Sequence, residues 1–128
     1  MQRLIDIGFE RVGHWYLKDN KISFDVTTSG KTNILYAYII DSDVMYVGKS
    51  SRTLKARLGN YKNPEPSQKT NMRINGFIKE NLMAGKQVFI YEYSRDSDLS
   101  IGVFKVDISA GLEESIIQII NPKWNILK

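Results

Sequence analysis

Hydrophobic and polar positions along the chain fall into segments whose spacing changes from strand-like to helical. Glu10 to Lys18 and Lys21 to Thr28 are rich in aromatic and branched side chains and flank the pair Asp19-Asn20, the pattern of a β-hairpin. Ser29-Gly30-Lys31 reads as a connection. Asn33 to Ile40 (NILYAYII) is an apolar run of strand length. A second run, Val44 to Gly48, follows the short polar break Asp41-Ser42-Asp43. So short a break between two strands predicts an antiparallel pair.

Beyond Gly48 the period changes. Leu54 and Leu58 recur at helical spacing, with Ser51 or Thr53 available as the cap. Pro64 and Pro66 interrupt any regular helix. A second helix is expected from Thr70 or Asn71, with Met72, Phe77, Ile78 and Leu82 toward the core and Gly85 at its end. Val88 to Tyr93 reads as a third central strand, Ser94 to Gly102 as a loop, and Val103 to Val106 as a short strand. Asp107 or Ser109 can cap a last helix reaching Ile120, which Pro122 stops. The pattern predicts an α/β (α+β) domain over residues 33–128, with a small mixed or antiparallel three-stranded central sheet flanked by helices. Residues 1–32 precede it as an N-terminal β-hairpin extension.

Composition narrows the class. A chain of 128 residues, 42% hydrophobic, has material for one modest core. No apolar run approaches the roughly 20 residues that span a bilayer. The opening MQRLIDIGFE lacks the apolar centre of a signal peptide, so a soluble cytoplasmic protein with no membrane partner is expected. The absence of cysteine excludes disulfides, zinc ribbons and thiol nucleophiles. The net charge of +4 is unevenly spread. Lys49 to Lys79 holds eight basic residues and one acid, Glu65, whereas the remainder holds ten basic and thirteen acidic residues. One third of the chain is thus strongly cationic. That is either a solvated face or a surface for a polyphosphate backbone.

Specific chemistry enters with the motifs. Ile34-Leu35-Tyr36 and then Tyr46-Val47-Gly48 lie on the predicted strand pair, and the second continues as YVGKSSRTLKARL. Tyr61 follows Arg57 by four residues, and near the C-terminus Glu113 precedes Asn125 by twelve with Pro122 between them. In this order the positions resemble the GIY-YIG nuclease family, with Ile34 where the first motif has glycine. The resemblance covers residues 33–128, and the layout is similar to that of the stand-alone phage endonucleases of the family. It implies a metal-dependent DNA endonuclease, of phage or restriction type, acting on double-stranded DNA with Mg2+ or Mn2+. It further implies a catalytic set of Tyr36, Tyr46, Lys49, Arg57, Tyr61, Glu113 and Asn125, with Glu113 as metal ligand and Tyr36 favoured as the base.

Each residue also has a reading of its own. Phosphodiester hydrolysis needs an attacking water, neutralised phosphoryl charge and a stabilised leaving oxygen. One carboxylate suffices to hold magnesium when phosphate and water complete the shell. Glu113 fits that role, although without the resemblance its commoner use is as an acid favoured near a helix N-terminus. Glu114 points about 100° away round the helix. Arg57 has the fork geometry that suits a phosphate, or it is a surface arginine. Lys49 can place an ammonium beside the phosphate or a tyrosine. Tyr36 and Tyr46 can orient or deprotonate water, or simply be half-buried strand tyrosines. Asn125 holds the site by hydrogen bonds or caps the tail. His14, the sole histidine, reads as structural or DNA-facing, and Trp15 and Trp124 as packing residues. Lys62, Lys69 and Arg73, in the polar stretch between two helices, are the candidates for gripping the DNA backbone. A homodimer would place two active sites on a duplex. The alternative from another class is a non-catalytic DNA- or RNA-binding module on the same fold.

Overall fold

Two tight turns organise the sheet. Asp19 and Asn20 both take positive φ, 51° and 66°, and so do Asp41 and Ser42, 50° and 68°. Positive φ at both central residues is what a two-residue hairpin turn matching the strand twist requires, and short polar side chains tolerate it. The first turn joins β1 (Glu10–Lys18) to β2 (Lys21–Val26). The second joins β3 (Ile34–Ile40) to β4 (Asp43–Ser50). These elements belong to a computed structural model that describes residues 1–94 and 100–126.

The last long strand, β5 (Val88–Tyr93), lies between the two hairpins and pairs antiparallel with both β1 and β3. The result is one five-stranded sheet in the order β2-β1-β5-β3-β4. The expected three-stranded sheet is therefore only its β5-β3-β4 part, and the extension's hairpin widens it. Hydrophobicity of β5 alone could not show this, because both its edges carry unpaired backbone groups that any strand can satisfy.

Helices cover both faces. The preceding helix α1 (Gln2–Ile7), which periodicity did not predict, buries Leu4. Thr53 caps α2 (Leu54–Lys62), its hydroxyl accepting from Ala56 N. Then comes α3 (Lys69–Met83), whose buried positions are Asn71, Ile74 and Ile78. Met72 is 47% exposed, contrary to expectation, because it lies about 100° round the helix from Asn71. Trp15, Tyr36, Tyr38, Tyr46, Leu54, Leu58, Tyr61, Ile74 and Ile78 form the core on this face.

Asp107 caps α4 (Ile108–Ile120), its carboxylate accepting from Ala110 N. Leu35, Ala37, Ile39, Val47 and Ile116 belong to the core on the opposite face, with Leu4 and Phe9. Asn121 ends α4 in the left-handed region at φ 56°, and Pro122 leads into the short α5 (Lys123–Ile126). The expected strand Val103 to Val106 is shorter than predicted: Phe104–Lys105 (β7) pairs with Ser100–Ile101 (β6) as an exposed ribbon. Of the loop expected from Ser94 to Gly102, residues 95–99 lie outside the described residues.

Candidate active site

Alternation on β3 and β4 decides what faces what. Tyr36 pairs with Gly48, and Tyr38 with Tyr46, so their side chains point to the α2 and α3 face. A Cβ on Gly48 would lie 2.4 Å from the Tyr36 hydroxyl. Glycine is thus what lets the Tyr36 ring cross β4. From α2, Tyr61 meets it: the two hydroxyls stand 2.5 Å apart, and the Tyr61 hydroxyl donates to that of Tyr46 at 3.4 Å.

Arg57, one helical turn before Tyr61, donates to the Tyr61 hydroxyl at 2.8 Å and to Asn71 Oδ1 at 3.1 Å. Its guanidinium lies 4.3 Å from the centroid of the Tyr61 ring, a cation–π geometry. Burial works against its charge, but the tyrosine hydroxyls, Tyr36 foremost, outweigh it and raise its pKa. Burial is the leading cause that pushes the phenols of Tyr36 and Tyr61 well above the ordinary tyrosine value, with Tyr46 adding for Tyr36 and Tyr36 for Tyr61. Tyr36 is 1% exposed and Tyr46 is 9% exposed. Tyr46 is thus the least buried tyrosine of the cluster.

A second group lies across β4. Lys49 pairs with Leu35, which belongs to the opposite core, so its side chain points to the α4 face. There its ammonium bonds Asp107 Oδ2 at 3.0 Å. Glu113, half-buried on α4, also feels Lys49. Burial raises the Glu113 pKa more than Lys49 lowers it, whereas the Lys49 hydrogen bond lowers that of Asp107. Tyr36, Tyr46, Tyr61 and Arg57 are therefore one hydrogen-bonded cluster, while Lys49, bonded to Asp107 and felt by Glu113, lies on the other face of the sheet, and the Gly48-Lys49 peptide of edge strand β4 links the two sides.

Asn125 sits on that edge. Val47 N donates to its Oδ1 and its Nδ2 donates to Val47 O, both at 2.9 Å, so the side-chain amide imitates a neighbouring strand. Lys62, Lys69 and Arg73 do not join either cluster. Lys62 lies 6.0 Å from the Phe24 ring, Lys69 is exposed at the start of α3, and Arg73 has its Nε buried. Two contributors escaped sequence reasoning. Asp107 was legible only as a cap, and Asn71 only as a helix start; neither spacing announces a partner on another element.

The sheet order and the helices around it define a fold found in endonucleases. One solved example is a point mutant of bacteriophage T4 EndoII, a GIY-YIG endonuclease. It is 21% identical, with a TM-score of 0.77 over 98% of this chain and 97% of that one. Another is the restriction endonuclease HPY188I in complex with product DNA, 14% identical, with a TM-score of 0.53 over 94% of this chain and 76% of that one. At these identities the likeness is one of fold, and it is the fold that the family resemblance implied. No family model and no curated protein sequence matches the chain.

Proposed function

We propose that this chain is a metal-dependent DNA endonuclease of the GIY-YIG class, hydrolysing phosphodiester bonds in double-stranded DNA. The observation that carries the reading is the buried cluster of Arg57 with three tyrosine hydroxyls, placed against Gly48 and one residue from Lys49. A structural role alone does not need a guanidinium desolvated among phenols. A fixed cation for a phosphoryl oxygen does.

Within the cluster, Arg57 donates to Tyr61 and Tyr61 donates to Tyr46. The contact between the Tyr61 and Tyr36 hydroxyls, 2.5 Å, is the shortest in the cluster. Tyr46, the least buried of the three, is the phenol favoured to orient or deprotonate the water. Burial and a raised pKa weigh against Tyr36 in that role, and support it as a positioning residue. Lys49 supplies a cation on the α4 flank, held in place by Asp107.

Glu113 suits a divalent ion. Its half-buried carboxylate has no hydrogen-bond donor among the described residues, and no three metal-binding side chains converge there. This is the donor set of magnesium or manganese that keeps water and substrate phosphate as ligands. Such an ion, when bound, neutralises charge on the phosphoryl and leaving oxygens.

Nicking of supercoiled plasmid with and without magnesium tests the proposal, comparing the native chain with Glu113→Ala and Arg57→Ala. Expected are magnesium-dependent nicks, at least about 100-fold fewer in either variant, with duplex binding retained by Glu113→Ala. Binding without nicks by the native chain, across metals and sequences, would replace this reading with a non-catalytic binding module.

A further inference from the structure

The β6–β7 ribbon ends in an uncovered apolar tip. Ile101, Val103 and Phe104 are 71, 90 and 72% exposed, and none of them belongs to either core. Ile101 pairs with Phe104, so their side chains share one face of the ribbon. Gly102, at φ 61°, occupies the first central position of the two-residue turn, where glycine favours a tight hairpin. Val103 stands at the apex. Three large apolar groups held in water on a tight turn work against solvation and point to a ligand.

The ribbon's position says which ligand. Phe104 lies three residues before Asp107, so their Cα atoms are within about 11 Å. Asp107 in turn holds Lys49. Lys105 is exposed at the base of the ribbon, opposite Ser100. An apolar prong with a cation at its foot thus immediately precedes α4, whose cap Asp107 holds Lys49. Stacked bases between two rows of phosphates present the complementary chemistry. A second copy of the chain fits less well, since three side chains offer roughly 500 Å² against the ~800 Å² per partner of a stable interface.

We propose that the ribbon is a wedge: Val103 and Phe104 enter a base step of duplex DNA beside the phosphodiester at the site, and Lys105 takes a backbone phosphate. Apolar wedges of this kind unstack a step and kink the duplex. The inference rests on the nuclease reading and names the part of the chain that deforms the substrate.

The test uses the full chain and a set of duplexes carrying 2-aminopurine at successive positions around a cleavage site mapped by plasmid cutting. Chelator stops cleavage while fluorescence reports unstacking. The native chain is expected to raise fluorescence severalfold at one step, and the double variant Val103→Ser, Phe104→Ser to lose about nine tenths of that rise. The variant should cut intact duplex about tenfold more slowly and recover on a duplex mismatched at that step. Both residues are exposed, so the fold should be retained, which circular dichroism checks. A native chain that cuts without unstacking, or a double variant unchanged in fluorescence, would overturn the wedge and leave the nuclease reading standing. So would a native dimer that the double variant dissociates without any change in fluorescence. Failure of the native chain to cut any plasmid would instead strike the nuclease reading.

Discussion

Gly48 can be tested with a single methyl group. A Cβ there would lie 2.4 Å from both Cζ and the hydroxyl oxygen of Tyr36, so Gly48→Ala must displace a ring packed against Tyr38, Tyr46 and Tyr61. The expected cost is about 1–3 kcal/mol of stability by urea unfolding, with nicking reduced beyond what the remaining folded fraction explains. A variant that unfolds normally and nicks at the native rate would show that the Tyr36 position is immaterial to cutting. Glu113 gives the opposite pattern. Burial raises its pKa in the folded chain, so folding favours the protonated form. That contribution is present below the ordinary carboxylate value and is lost as pH rises through the raised pKa. With chelator present, Glu113→Gln is therefore expected to unfold at neutral pH no earlier than the native chain, while the difference closes toward low pH. Thermal melts across that range check the sign, and a neutral-pH loss of stability would mean that the charged carboxylate has a partner.

At the scale of elements, the position of β4 depends on a residue nearly eighty positions away. Both backbone groups of Val47 on the free edge are taken by the Asn125 amide. Asn125→Ala removes two hydrogen bonds, and is expected to cost about 1–3 kcal/mol and to speed amide exchange at Val47 and its neighbours. Asn125→Asp keeps an acceptor for Val47 N but loses the donor to Val47 O, so it should be nearly as damaging; unchanged exchange in both variants would free β4 from α5. The same element shows how far sequence reasoning reaches. The hairpins were legible because Asp19-Asn20 and Asp41-Ser42 carry turn chemistry in a local pattern, and the β3–β4 motif placed Tyr36, Tyr46 and Lys49 on adjacent strands. The insertion of β5 between β1 and β3 was not legible, since strand order depends on long-range pairing. Helix α1 has one buried residue, Leu4, and too short a period to register. Alternation along β4 was sufficient to put Tyr46 and Lys49 on opposite faces, but the bulge between Tyr38 and Ile39 hides from a simple count which face each takes.

For the whole molecule, the uneven charge acquires a location. Of the cations between Lys49 and Lys79, Arg57 is committed inside the tyrosine cluster and Lys49 to Asp107. Lys62 and Lys69 remain exposed at the end of α2 and the start of α3. The widened sheet matters here, because Phe24, whose ring lies beneath the Lys62 ammonium, comes from the outermost strand β2. The extension thus supports one side of the basic surface. If duplex DNA runs across it, Lys62→Ala and Lys69→Ala should each lower the magnitude of the slope of log K against log salt by about 0.9, one phosphate apiece. Arg73 should behave differently. Its Nε is buried with no hydrogen-bond partner among the described residues, so Arg73→Ala is expected to move the slope less. Phe24→Ala should reduce the slope through Lys62 alone, and the double variant Phe24→Ala, Lys62→Ala should match Lys62→Ala. Binding isotherms between about 50 and 200 mM salt read all five. Slopes unmoved by Lys62 and Lys69 would place the duplex instead along the α4 flank, where Lys105 stands, and a Lys105→Ala variant would then carry the missing unit.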